Sequence, residues 1–278
     1  MKMAYLDNSS TTPVYPNAAK KALEMMTETY GNPSSLHSLG FLAEQEMQKA
    51  RKILSSLLHT EPETIYFTSG GTESNNLALI GAALAHRRAG KHIITSNIEH
   101  ASVSATMAFL EKEGFEITQI GVDETGRIDV EALKNALRED TILVSTMYVN
   151  NELGTIEPIE EISKVVKEYN PSILYHVDAI QAFGKLRFSP KKLGVDLMSF
   201  SGHKIHGPKG SGALYIKEKT LLRPIIYGGG QQRDMRSGTE NVPGIVGLGT
   251  LVSALGLGPV VNFFDVKVSR KLIAKFTN

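Results

Sequence analysis

Lys204 lies in a segment whose composition suits a reactive amine. The run is Ser199-Phe200-Ser201-Gly202-His203-Lys204-Ile205-His206-Gly207-Pro208-Lys209-Gly210, rich in serine, histidine and turn-forming residues. A lysine in such surroundings is partly desolvated, which lowers its pKa and lets it form a Schiff base with a carbonyl cofactor. His203 and His206 suggest a metal pair as an alternative, but no third ligand at a sensible spacing accompanies them.

A glycine turn at residues 68–76 separates a strand-like run from a helix-like run. Its sequence is Thr68-Ser69-Gly70-Gly71-Thr72-Glu73-Ser74-Asn75-Asn76. Glycines and a helix N-terminus leave backbone N–H groups open to an anion, which favours a phosphate. The turn is neither a Walker A loop, because no Lys-Ser/Thr pair follows, nor a dinucleotide fingerprint, because the third glycine is missing. An ordinary glycine turn capped by Thr72 is the alternative.

Three further polar groups follow predicted strands. Asp178 suits either a cap for the next helix or a carboxylate that keeps a heterocyclic nitrogen protonated. His100 is either a plain helix-start residue or an imidazole that stacks on an aromatic ring. Asn150 and Asn151 indicate either an Asx turn or a hydrogen-bond donor for a ligand oxygen. Each signal is weak alone, but with the glycine turn and Lys204 they form a complete set of contacts for one phosphorylated heterocycle.

Strand-like and helix-like segments alternate along most of the chain. The strand candidates are residues 65–68, 92–95, 115–120, 141–146, 173–177, 196–200 and 212–216, and the helix candidates among them are 73–88, 101–112 and 159–169. This alternation predicts an α/β fold with a mainly parallel sheet and helices on both faces. Ligands bind such sheets at the C-terminal ends of the strands. Two helices predicted over 17–29 and 39–57 precede the first strand and are expected to form an arm or a cover.

Composition narrows the possible partners and chemistry. A net charge of +1 with 41% hydrophobic and 21% charged residues is typical of a soluble globular protein and gives no field that favours nucleic acid or anionic lipid. The sequence shows no secretory signal and no apolar run of about 20 residues, so we expect a cytoplasmic protein without a membrane partner. The chain has no cysteine, which excludes disulfides, thiolate metal sites and a cysteine nucleophile within it.

The motifs occur together in the order found in one known family. They are Tyr5 to Asn8 with Thr11-Thr12, Gly31 to Ser35 with His37, Gly70 to Asn76, Glu99-His100, Asn150 to Glu152, Asp178 to Gln181, Ser201 to Gly210 and Arg236 to Asn241. With them the sequence resembles the cysteine desulfurases of the nitrogenase and iron–sulfur assembly type, in the class V aminotransferase group of fold type I pyridoxal-phosphate enzymes. The resemblance implies a pyridoxal-phosphate-binding large domain with an N-terminal arm over residues 1–249.

The resemblance also implies a role for each matching residue. Lys204 would hold pyridoxal 5'-phosphate as a Schiff base and then carry the proton at the substrate Cα, while His100 would stack on the ring and relay protons. The other implied contacts are Asp178 with the pyridine nitrogen, Gln181 with the phenolic oxygen, Asn151 with a cofactor oxygen and the substrate carboxylate, and Gly71, Thr72, Ser201 and His203 with the phosphate. Thr239 would complete the phosphate site of the other subunit in a homodimer.

The implied reaction converts L-cysteine, or a related amino acid, to L-alanine. Sulfur would pass through an enzyme cysteine to a scaffold protein for iron–sulfur cluster assembly, with nucleic acid involved only indirectly through tRNA modification. In the family that cysteine lies in a small C-terminal domain, which the atypical residues 250–278 do not resemble. The main alternative is therefore a non-catalytic truncated remnant, or half of a split enzyme that binds only cofactor or partner. A third possibility keeps the enzyme but changes its substrate to selenocysteine or kynurenine, or its reaction to that of an aminotransferase.

Overall fold

The alternating segments fold into one seven-stranded sheet in the computed structural model, which describes residues 5–257. The strands are β1 (Ile65–Thr68), β2 (His92–Ser96), β3 (Glu116–Ile120), β4 (Thr141–Met147), β5 (Leu174–Asp178), β6 (Leu197–Ser201) and β7 (Gly212–Ile216). Their order is β1-β7-β6-β5-β4-β2-β3. Five neighbouring strands run parallel, in the spatial order β6, β5, β4, β2 and β3. Strand β7 is antiparallel to both β6 and β1. The predicted mainly parallel sheet is confirmed.

Helices connect the strands and precede them. They are α1 (Pro16–Thr27), α2 (Ser38–Leu58), α3 (Gly71–His86), α4 (Ala101–Lys112), α5 (Val130–Ala136), α6 (Ile159–Tyr169), α7 (Pro190–Leu193) and α8 (Val242–Leu257), with 3-10 turns at Pro62–Thr64 and Gly202–Lys204. The short helices α5 and α7 were not predicted, because one or two turns carry too little periodicity. Within residues 5–257, no helix is long and apolar enough to cross a membrane.

The two helices ahead of the first strand pack against α8. The sequence predicted an arm or a cover, and this packing favours a cover. The soft boundary predicted near Gly249 falls inside α8, and the division into domains stays a prediction. Most of the segment predicted to be an atypical tail, residues 258–278, lies outside the described residues.

Side chains on the two faces of the sheet enter two separate cores. On β2 and β4, Ile94 and Val144 join the cluster that contains α2, α6 and α8, while their neighbours Ile93 and Leu143 join the cluster that contains α3 and α4. Consecutive residues of a strand point to opposite faces, so both faces must be covered by helices. The double cover fixes the strand ends, and with them the loops that carry the polar motifs.

A buried polar row crosses the middle of the sheet beneath those loops. His176 on β5 shares hydrogen bonds with the Ser145 hydroxyl on β4 through Nδ1 (2.9 Å) and with the Ser199 hydroxyl on β6 through Nε2 (3.0 Å). The side chain is completely buried, and this burial lowers the pKa of His176 to about 3. A neutral imidazole can satisfy both hydroxyl groups, so His176 ties together three parallel strands two residues before Asp178.

His176 should make the stability of the fold depend on acid. Its pKa is lower in the folded chain than in the unfolded chain, so the unfolded chain binds the proton first as the pH falls from about 6.5 toward 3. The free energy of unfolding should therefore drop over that window by at most about 1.4 kcal/mol per pH unit from this group. Urea unfolding at several pH values should show a smaller slope for His176→Asn. The exposed His59→Asn variant is the control, and an unchanged slope in His176→Asn would contradict the prediction.

Candidate active site

The polar motifs meet at one edge of the sheet. Asp178 ends β5, Ser201 ends β6, and the β2–α4 turn carries His100. The Gly70-Gly71 turn reaches the same edge because β1, β7 and β6 are successively antiparallel, which makes β1 run parallel to β6. This edge is the C-terminal end of the parallel strands, where open α/β sheets bind their ligands.

The glycine turn and Ser201 form a cradle with unused hydrogen-bonding groups. Gly70 has a φ of 147°, which only glycine adopts readily, and α3 begins after it without a side-chain cap. A Cβ on Gly71 would lie 2.0 Å from Ile180 Cδ1, so a larger residue at position 71 would have to displace the Ile180 side chain. The buried Ser201 Oγ has no hydrogen-bond partner among the described residues, and it would lie 3.8 Å from a Cβ placed on Gly70. Bare N–H groups beside an unpaired hydroxyl suit a phosphate.

Asp178 is a buried carboxylate with two donors. Its Oδ1 accepts the Ile180 N–H (3.0 Å) and its Oδ2 accepts a hydrogen bond from Asn75 Nδ2 (2.8 Å). Burial raises the pKa of Asp178, and the two donors together with the nearby His100 and Lys204 oppose that rise. The sequence-based prediction that Asp178 caps the next helix is wrong, because turn residues rather than a helix follow β5 directly. The carboxylate instead makes a local turn and remains available to a ring N–H.

Lys204 is half-buried and held by the N-terminal segment. Its Nζ donates to the carbonyl oxygens of Ser9 (2.6 Å) and Ser10 (2.8 Å). Burial lowers the pKa of Lys204, while Asp7 and Asp178 act in the opposite direction. A lowered pKa increases the neutral fraction of the amine, the form that reacts with a carbonyl carbon.

Gln181 lies between the N-terminal segment and a second lysine. Its Nε2 donates to the Ser9 carbonyl (2.9 Å), and its Oε1 accepts a hydrogen bond from Lys185 Nζ (2.7 Å). Burial, with a contribution from the charge of Lys204, lowers the pKa of Lys185 to about 8. Because Lys185 occupies the amide oxygen, the amide nitrogen of Gln181 is the group directed toward other acceptors.

His100 caps helix α4 and lies on a turn anchored by Glu99. Its Nδ1 accepts the Ser102 N–H at 3.1 Å, so His100 is a helix-start residue, and stacking on an aromatic ring stays a prediction. Glu99 Oε1 accepts hydrogen bonds from the Ser96 hydroxyl and from the Met147 N–H (2.9 Å). Burial raises the pKa of Glu99 to about 8, which favours the protonated acid at neutral pH. The side chain joins the turn to the end of β4.

Three of the predicted residues have less direct support. His203 shares a hydrogen bond with Thr11 (3.2 Å) on the same N-terminal segment. In the Asn150-Asn151 pair, the Asx turn belongs to Asn150, whose Oδ1 accepts the N–H groups of Glu152 and Leu153, while Asn151 is half-buried. Thr239 is exposed, and among the described residues no hydrogen bond joins it to the glycine cradle.

Several residues that build the site were not singled out from the sequence. Asn75 and Ser102 connect Asp178 with His100, and Glu73 accepts two hydrogen bonds from Arg236 (2.7 and 3.1 Å), which fixes the Arg236-Ser237-Gly238 turn beside α3. Apart from the Ser102–His100 pair, the bonded residues are distant in sequence, so spacing alone could not reveal these contacts. Residues 5–257 contain no group of three His, Asp or Glu side chains that could hold a metal ion.

The residues present fit pyridoxal phosphate. The cradle has an unpaired buried hydroxyl and a bare helix N-terminus, the buried carboxylate can pair with a protonated ring nitrogen, and the partly desolvated lysine can react with an aldehyde. These features are an anion site, an electron-sink partner and a covalent anchor at one sheet edge. The arrangement therefore suits chemistry at the Cα of an amino acid.

Comparison with protein families agrees with the fold and this set of groups. The family model described as aminotransferase class V matches residues 4–259. The chain belongs to this family of pyridoxal-phosphate-dependent enzymes.

Within the family, similar proteins bear the names of desulfurases. Cysteine desulfurase IscS of Methanosarcina thermophila is 51% identical over 248 residues, which are 89% of this chain and 61% of that protein. The NifS/IcsS protein homolog of Lactobacillus delbrueckii subsp. bulgaricus is 51% identical over 247 residues, 88% of this chain and 64% of that protein. The chain thus spans about three fifths of the length of these relatives.

Solved structures give the same result. A NifS-like protein superimposes with a TM-score of 0.90 at 44% identity, covering 92% of this chain and 70% of that one. A structure described as SspA in complex with cysteine has a TM-score of 0.87 at 40% identity, covering 90% of this chain and 72% of that one. The resemblance inferred from the motifs is confirmed.

Proposed function

We propose that this chain is the cofactor-binding and Cα-activating part of a cysteine desulfurase, acting on L-cysteine or a closely related amino acid. The observation that carries the proposal is the convergence of Lys204, Asp178 and the Gly70-Gly71 cradle at one sheet edge. The SspA neighbour, described as a complex with cysteine, supports this choice of substrate over selenocysteine, kynurenine or an aminotransferase pair.

Each residue would contribute one function. Gly71, Thr72, Ser201 and His203 would bind the phosphate, and Asn151 and Gln181 would donate to ring or substrate oxygens. When bound, pyridoxal phosphate supplies an electron sink for the electron pair released at the substrate Cα. Asp178 would keep the ring nitrogen protonated, which makes that sink effective. The Lys204 amine would remove the Cα proton, and His100 would cover the ring and return a proton.

Sulfur transfer requires a thiol that this chain does not contain. A desulfurase thiolate attacks the substrate sulfur and keeps it as a persulfide, and no cysteine occurs among the 278 residues. The chain alone is thus proposed to activate Cα without accepting sulfur. The second candidate is a non-catalytic truncated remnant, or half of a split enzyme, that binds cofactor or partner only, and the same absence of cysteine favours it.

Assembly would complete the site. Thr239 is exposed on the Arg236-Ser237-Gly238-Thr239 turn, which Arg236 holds against Glu73. We propose a homodimer in which this turn contributes Thr239 to the phosphate site of the other subunit. A scaffold protein that accepts sulfur remains a proposed partner, and the cytoplasm remains the proposed location.

The test separates the two candidate functions. The purified chain is loaded with pyridoxal phosphate and incubated with L-cysteine in deuterated buffer containing dithiothreitol, and deuterium at Cα, alanine and sulfide are measured. We expect Cα exchange about 10²-fold or more above free cofactor, the contribution of a positioned base, with no protein-bound persulfide. Cofactor binding without deuterium exchange at Cα would support the second candidate, the non-catalytic remnant. No cofactor binding would overturn the proposed function and would leave only a remnant that binds a partner.

A further inference from the structure

A continuous row of hydrogen bonds links Asp178 to His100. Asn75 Nδ2 lies 2.8 Å from Asp178 Oδ2 and 2.9 Å from Ser102 Oγ, and Ser102 Oγ lies 2.9 Å from His100 Nδ1. Asn75 is fully buried and Ser102 is 8% exposed, so water does not compete for these bonds. The row joins the acid at the end of β5 to the imidazole at the start of α4.

The direction of each bond follows from the chemistry of its ends. A carboxylate only accepts, so Asn75 presents its Nδ2 to Asp178, and the same nitrogen donates its second proton to Ser102 Oγ. The Ser102 hydroxyl then directs its own proton to His100 Nδ1. The Ser102 backbone N–H donates to the same Nδ1 at 3.1 Å. Two donors therefore face Nδ1 of His100, which must be the unprotonated nitrogen of the neutral ring.

We propose that Asn75 and Ser102 are positioning residues that fix the proton of neutral His100 on Nε2. His100 would then present an N–H donor to the site and act as a proton donor there, while Asp178 would be locked in the orientation that pairs with the ring nitrogen. The part that concerns the reaction rests on the proposed function. The tautomer is a property of the chain itself.

Nitrogen NMR of the cofactor-free chain labelled with ¹⁵N-histidine tests the tautomer directly. Long-range ¹H–¹⁵N spectra are recorded at about pH 9, well above the ordinary pKa of histidine, and His100→Gln identifies the His100 signals by their loss. We expect a single tautomer, with Nδ1 in the pyridine-like region and Nε2 in the pyrrole-like region. A mixture of tautomers, or a protonated Nδ1, would overturn the inference.

Variants of Asn75 test whether the row sets the tautomer. In Asn75→Asp the new acid must share a proton with Asp178, and its free oxygen accepts from the Ser102 hydroxyl. The hydroxyl then no longer donates to Nδ1, and only the Ser102 backbone N–H still favours an unprotonated Nδ1. The Nδ1 signal should move toward the pyrrole-like region. Ser102→Ala keeps the backbone bond but removes the hydroxyl, and should give a smaller shift in the same direction. Asn76→Asp is the matched control, because among the described residues Asn76 donates its side-chain hydrogen bond to the Thr72 carbonyl alone.

Two outcomes distinguish this inference from the proposed function. If Asn75→Asp and Ser102→Ala leave the His100 signals where Asn76→Asp does, the row does not fix the proton and the inference fails. That result leaves cofactor binding and Cα exchange untouched as evidence for the proposed function. If the signals shift but the wild-type chain shows no Cα exchange, the tautomer assignment holds and the proposed function fails.

Discussion

Replacing Lys204 by alanine is expected to abolish covalent attachment of pyridoxal phosphate and the visible absorbance that accompanies it. Among the described lysines, Lys204 combines a lowered pKa with hydrogen bonds to the N-terminal segment at this sheet edge. Lys185, whose pKa is also lowered, bonds to Gln181 nearby. Exchange at the substrate Cα should fall by about 10²- to 10⁴-fold, the range for loss of a positioned base. Absorbance titration with cofactor and deuterium incorporation into L-cysteine measure the two effects.

Lys185 and Lys209 provide the controls for this prediction. Lys185 also has a lowered pKa, of about 8, so it competes as the covalent anchor, whereas Lys209 is exposed. Borohydride reduction of the loaded chain followed by peptide mass analysis should place the label on Lys204 alone. Lys209→Ala should bind cofactor as the wild type does. A label on Lys185, or unchanged absorbance in Lys204→Ala, would contradict the assignment.

Asp178→Asn should produce the second largest loss. The amide keeps an acceptor for the Ile180 N–H, but it places an NH₂ group against the donor Asn75 and removes the charge that pairs with a protonated ring nitrogen. Breaking a buried charged pair costs about 3–5 kcal/mol. We therefore expect cofactor affinity or Cα exchange to fall by about 10²-fold or more. Equilibrium dialysis measures the cofactor affinity, and the deuterium assay measures exchange at Cα.

Asp196→Asn controls for damage to the fold. Asp196 precedes β6, so it lies at the opposite end of the sheet, where it pairs with Lys167 and Lys217 and accepts the Tyr175 N–H. It is as deeply buried as Asp178, so its loss should lower the melting temperature without changing cofactor affinity. If Asp178→Asn binds cofactor as tightly as Asp196→Asn does, Asp178 does not pair with the ring.

Much of the architecture was predictable because the local pattern of apolar and polar residues indicates where strands and helices form. β-branched runs ending in polar residues predicted β1, β4 and β5, and the spacing of Ile159, Ile162 and Val166 predicted the amphipathic helix α6. The order of the motifs was enough to identify the family. The short helices α5 and α7 escaped prediction because their existence depends on packing more than on periodicity.

The sequence by itself determined which residue types form the site: a lysine in a desolvated run, a glycine turn before a helix and an acid after a strand. Only the tertiary structure decided how they meet. The parallel sheet places Asp178 within reach of Asn75, 103 residues earlier. The N-terminal segment folds back so that the Ser9 carbonyl, 195 residues before Lys204, accepts a hydrogen bond from its amine. Such contacts form because burial on both faces of the sheet fixes where every strand ends, and no local pattern encodes that distance. The residue types around Lys204 predicted its role from the sequence, whereas the fold supplies the burial that lowers the pKa of its amine.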